Sequence, residues 1–108
     1  WCITDAGGLD PTALLAHLAD EHDAARGAAC FHATLAQGLA AWAARAARAV
    51  GLTQVALGGG CWLNRVLADA VRGHLLEAGL QVWQARELPP NDGGLSLGQA
   101  WVAINWKE

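Results

Sequence analysis

Methionine is absent from this chain of 108 residues, which opens Trp1-Cys2-Ile3-Thr4. Such a chain is expected to be a piece of a longer protein. Cysteine is scarce too, at three residues, Cys2, Cys30 and Cys61. The count is odd and no CxxC pair occurs, which argues against a secreted disulfide scaffold. Reduced thiols in the cytoplasm are the simpler expectation. A net charge of −3 and a pI near 5.7 leave no basic stripe of the kind a nucleic-acid surface needs. No segment combines a basic start with the apolar stretch of a signal peptide. The alanine-rich run from Leu35 to Val50 is broken by Gln37, Arg45 and Arg48, so no membrane span is expected. Internal repeats, charge tails and low-complexity linkers are also missing.

What remains is a chain 54% hydrophobic. It is long enough for one domain burying roughly 65% of its unfolded surface. Trp1 to Thr4 reads as the end of a strand, closed by Asp5, Gly7 and Gly8. Asp10 and Pro11 then suit the N-cap and first position of a helix running to about Gly27. Phe31, Leu35, Leu39, Trp42, Ala46 and Val50 recur at helical steps, with Gly51 as the stop. Gln54 to Leu57 is a short buried strand. Leu63, Leu67, Val71, Leu75 and Ala78 mark the next helix, which carries Arg65 and Asp69 at ion-pair spacing and ends at Gly79. Leu80 to Ala85 is a second strand, and Leu95, Leu97, Trp101 and Ile104 outline a last helix. A strand-helix-strand unit of this length implies parallel pairing with a right-handed crossover. The tryptophans are expected mostly in the core, with Trp1, Trp62 or Trp106 the candidates for an interface.

Two glycine-rich turns stand out, Gly58-Gly59-Gly60-Cys61-Trp62-Leu63-Asn64 and Pro89-Pro90-Asn91-Asp92-Gly93-Gly94. Each precedes a helix, an arrangement that suits an anionic ligand because glycine admits close approach and a helix start presents free N–H groups. The first turn is neither a Walker loop nor GxGxxG, so a tight packing turn is the local alternative. Asn64 suits a ribose or base contact, or a helix cap. Asp92 suits a metal ligand, or another cap, and one carboxylate is not a metal site. His17 and His22 are separated by roughly 140° around a helix and share no face. His32 and His74 read as ordinary histidines, and Cys61 has no base to make it a nucleophile.

The stretch Val55 to Arg65, together with Leu88-Pro89-Pro90-Asn91-Asp92-Gly93-Gly94-Leu95-Ser96-Leu97-Gly98-Gln99, resembles the C-terminal end of the HypF family, the carbamoyltransferases of [NiFe]-hydrogenase maturation. Phe31-His32-Ala33-Thr34-Leu35-Ala36 resembles the helix such proteins carry ahead of the glycine turn. The resemblance implies an α/β fold, the second lobe of an actin-like, TsaD-like domain with short parallel strands flanked by helices. It implies that Gly59, Gly60 and Asn64 contact a nucleotide, ATP in the form of carbamoyl-adenylate, and that Asp92 is a ligand of a divalent metal. An upstream YrdC-like domain would make the adenylate, and the carbamoyl group would pass to the C-terminal cysteine of HypE. The family's HxxxH metal pair does not occur here, so the other ligands are expected outside the chain. The chain alone is therefore expected to be inactive, and no catalytic acid or base is assigned. A TsaD-like tRNA-modifying enzyme, an antibiotic O-carbamoyltransferase and a non-catalytic helical interaction domain are the alternatives.

Overall fold

The computed structural model describes residues 1–106. Its first element is a short antiparallel hairpin, β1 (Cys2–Ile3) with β2 (Leu9–Asp10), closed by the expected turn at Gly7 and Gly8. The returning strand, β2, is too short to show a sequence pattern. Helix α1 (Thr12–Ala19) starts one residue later than Asp10 and Pro11 suggest. Pro11 holds the cap position, and Asp10 reaches past it to accept from the backbone N–H of Thr12 at 2.8 Å.

Helix α1 also ends well before Gly27. The reason is Asp23, whose carboxylate accepts from the N–H groups of Ala25 and Arg26 and starts α2 (Ala24–Ala49). Gly27 thus lies inside α2, a helix of 26 residues and about 39 Å. The face that α2 buries differs from the one its large side chains outline. Ala36, Ala40, Ala44 and Ala47 are buried, whereas Trp42, Ala46 and Val50 are exposed. Small side chains let a partner helix come close. That partner is α3 (Arg65–Glu77), whose Leu67, Val71 and Leu75 form a matching row four residues apart.

Between α2 and α3 runs β3 (Gln54–Leu57), and after α3 comes β4 (Gln81–Gln84). They pair in parallel, Gln54 opposite Gln81 through Leu57 opposite Gln84, as the strand-helix-strand order requires. Leu57 and Leu80 join the alanine row and the α3 leucines in one core. Beyond β4 the chain turns through Pro89-Pro90 into α4 (Leu95–Asn105), which buries none of its residues.

The tryptophans are not core residues. Trp1, Trp42, Trp83, Trp101 and Trp106 are all exposed, and Trp62 is half-buried. The two on and beside α4 have nothing packed over them because the helix itself is uncovered. Among the described residues no ion pair joins Arg65 to Asp69; Arg26 pairs with Glu21 instead, and His74 Nδ1 lies 3.4 Å from Glu77 Oε2. No described helix is long and apolar enough to cross a membrane.

Candidate functional site

The first glycine turn leaves β3 and enters a short 3-10 turn, Gly60–Leu63, before α3 begins. Gly59 sits at φ +110° and ψ 162°, a region essentially closed to residues with a Cβ. The turn is braced from within. The Trp62 indole N–H donates to the Gly58 carbonyl at 3.0 Å, and the Trp62 backbone N–H to the Gly59 carbonyl. Beside Gly58 and Gly59 the space is open, so a ligand can approach the backbone there.

The second turn is stiffened by its prolines and closed by Asn91. The Asn91 side-chain oxygen accepts from the Gly93 N–H at 3.1 Å, and its carbonyl from the Gly94 N–H at 3.0 Å. A Cβ on Gly93 would lie 2.8 Å from the Pro89 ring, so glycine is demanded here by the chain folding back on itself. Asp92 starts the 3-10 turn Asp92–Gly94 and is exposed.

These two turns, some thirty residues apart in sequence, meet. The Gly59 N–H donates to the Pro90 carbonyl at 2.6 Å, and a Cβ on Gly60 would touch the Asn91 Cβ at 3.8 Å. Gly59, Gly60 and Asp92 are thereby held in one neighbourhood. Gly59 and Asp92 also line an open groove of about 1300 Å³, shared with Leu57, Pro90, Trp101 and Trp106. Gly60 and Asn64 do not line it. The groove wall is mainly apolar, with Asp92 as its charged member.

Asn64 is the N-cap of α3, one residue ahead of its first turn, and its side-chain oxygen accepts from the Leu67 N–H at 3.2 Å. Its amide nitrogen lies 2.8 Å from His32 Nε2. His32 Nδ1 in turn lies 2.8 Å from the Ala28 carbonyl, one helical turn back on α2. Nothing in the sequence signals this bond between His32 and Asn64. His32 lies within the Phe31-to-Ala36 motif, but helical spacing cannot show a partner on another element.

Cys61 is a free, exposed thiol, and His17, His22 and His74 lie elsewhere. Among the described residues no three His, Cys, Asp or Glu side chains converge on a point that would hold a metal. Divalent cations take about six oxygen ligands, so Asp92 alone does not make a site. The carboxyls held below their ordinary range, Asp10 by the Thr12 hydroxyl and Glu21 by the Arg26 guanidinium, lie just before α1 and in the turn between α1 and α2.

Residues 5–99 match the family described as carbamoyltransferase, Kae1-like domain, second subdomain. The chain is 49% identical over 104 residues to carbamoyltransferase HypF2 of Cupriavidus necator, covering 96% of this chain and 13% of that protein. It is 48% identical over 109 residues to a carbamoyltransferase HypF homolog of the same organism, covering 95% of this chain and 28% of the relative. It is 52% identical over 95 residues to carbamoyltransferase HypF of Rhizobium leguminosarum bv. viciae, covering 86% and 12%. The chain thus spans between 12% and 28% of the length of these relatives. No solved structure matches it.

Proposed function

The chain belongs to the HypF carbamoyltransferase family, as a second subdomain of its Kae1-like domain, and from that premise we propose that it supplies the nucleotide side of a carbamoyl-transfer site. In this reading it is the second lobe of an actin-like domain. It would bind carbamoyl-adenylate together with an upstream lobe, for transfer to the C-terminal cysteine of a HypE-type acceptor. The observation that carries the proposal is the bond between Gly59 and the Pro90 carbonyl, which brings both glycine turns into one neighbourhood.

The surroundings of each residue support the role that the family resemblance implies for it. The open space beside Gly58 and Gly59 admits phosphate oxygens against the backbone. Asn64 keeps one amide hydrogen and one oxygen lone pair beyond its bonds to His32 and Leu67, enough for a ribose or base contact. Asp92 offers one carboxylate ligand to a divalent metal whose other ligands lie outside the chain. Such a metal would neutralise phosphate charge. The acceptor thiolate attacks the carbamoyl carbon, a C–S bond forms, the bond to the phosphate oxygen breaks and AMP leaves. The nucleophile comes from the acceptor, so this chain needs none, and the chain alone should transfer no carbamoyl group.

A second reading, a non-catalytic interaction domain, is favoured by three observations. The Gly59 N–H is spent on Pro90, Gly93 is required by Pro89, and the groove is mainly apolar. A chimera separates the two. This chain would replace the matching segment of the Cupriavidus necator HypF2, and carbamoyl transfer would be measured with Gly59→Ala and Asp92→Ala. Loss of turnover in both variants, with folding retained, supports the transfer site. An active chimera indifferent to both substitutions retires it in favour of packing.

A further inference from the structure

We infer that His32 is a positioning residue for Asn64, holding the side-chain amide in the one orientation that leaves it able to read a nucleotide. The inference rests on the assignment of Asn64 as a nucleotide contact.

The geometry fixes the proton positions. A carbonyl can only accept, so His32 Nδ1, 2.8 Å from the Ala28 oxygen, carries the imidazole proton. The Leu67 N–H can only donate, so Asn64 turns its Oδ1 there and its NH2 toward His32. The NH2 then donates across 2.8 Å to Nε2, the acceptor of the Nδ1–H tautomer. Both ends of the carboxamide are therefore committed. Turning it over would set oxygen against the Nε2 lone pair and NH2 against the Leu67 N–H, two mismatches at once. The helix cap alone constrains only the oxygen. His32 adds the constraint on the nitrogen, from a helix 32 positions earlier in the chain.

This arrangement has a consequence for binding. One amide hydrogen and one oxygen lone pair of Asn64 remain free, in directions that His32 and Leu67 dictate. Without His32 the amide keeps its cap bond but loses its fixed second edge, and a bound nucleotide must order it afresh. A side chain that can still accept from Asn64 should restore the effect, whereas one that merely fills space should not.

Two measurements on the full chain test this. Nitrogen NMR should show coupling through the hydrogen bond between Asn64 Nδ2 and His32 Nε2, with the proton on Nδ1. ATP affinity by calorimetry should fall about five- to tenfold in His32→Leu, the scale of one hydrogen bond. Asn64→Ala should lose at least as much, and the double variant no more than Asn64→Ala, because the two act as a unit. His32→Gln, which keeps an acceptor, should recover most of the loss. Asn64→Ala weakening ATP while His32→Leu binds like wild type, or absence of the coupling, overturns the positioning role alone. Wild type that binds no ATP either alone or in its chimera with the HypF2 relative, or Asn64→Ala that binds it unchanged, overturns the assignment of Asn64 and the inference with it.

Discussion

Gly59 and Asn64 shape the first loop by different physics. At φ +110° and ψ 162°, Gly59 occupies backbone space that other residues enter only under strain. Gly59→Ala should therefore destabilise by about 1–3 kcal/mol in urea unfolding even with no ligand present. Asn64→Ala removes a helix cap and should cost about 1 kcal/mol, whereas Asn64→Ser keeps the cap and should cost only a fraction of that. Acid should act first around α1. Asp10, held low by the Thr12 hydroxyl and N–H, and Glu21, held low by Arg26 and the Asp23 N–H, both titrate below their ordinary values of 3.8 and 4.5. Carboxyls with depressed folded values stabilise fully above those ordinary values and lose the contribution as pH falls through the lowered ones. Residue-by-residue amide exchange should show α1 and the start of α2 loosening below about pH 4 before the α2–α3 core does.

At the scale of elements, the readable parts were those with local punctuation. Strand β3 lies between Gly51 and the triple glycine, β4 follows Gly79, and their parallel pairing follows from the helix between them. Gly27 suggests a boundary between α1 and α2, but the cap at Asp23 sets it. The buried face of α2 escapes the sequence pattern for a related reason. Large apolar residues dominate a periodicity pattern, but close packing on α3 selects the alanine row. Substitutions can read this difference directly. Leu75→Ala, at a position with no exposure, should cost about 2–5 kcal/mol. Val50→Ala, at a position 69% exposed, should change stability by less than about 0.5 kcal/mol. Equal effects at the two sites would contradict the observed packing. In the site, both glycine turns and Asp92 were legible as motifs, but their meeting through Pro90 and the His32–Asn64 bond were not. Contacts between distant segments leave no spacing in a sequence.

The whole molecule is extended, with a radius of gyration of 16.4 Å and extents of 54 × 30 × 24 Å. A compact chain of this length would have a radius of about 13 Å. The 26-residue α2 accounts for much of the length, and uncovered α4 leaves Leu95, Leu97, Trp101, Val102, Ile104 and Trp106 facing outward. Large apolar side chains exposed all round α4 predict self-association of the chain in isolation. Sedimentation velocity across a concentration series should show it, and Trp101→Ser with Trp106→Ser should reduce it. A monomer at all concentrations would show that these side chains are tolerated in water.

Leu95, Leu97, Trp101, Val102 and Trp106 line the same groove as Gly59 and Asp92, so the apolar surface of α4 and the proposed nucleotide site coincide. The most direct measurement is calorimetric titration of ATP, with and without magnesium, into the chain and into its chimera with the HypF relative. Wild type would be set beside Asn64→Ala and Asp92→Ala. Binding weakened by Asn64→Ala, with its magnesium dependence lost in Asp92→Ala, is the expected result. Binding by neither protein, or binding unaltered by both substitutions, would contradict a nucleotide site on this chain.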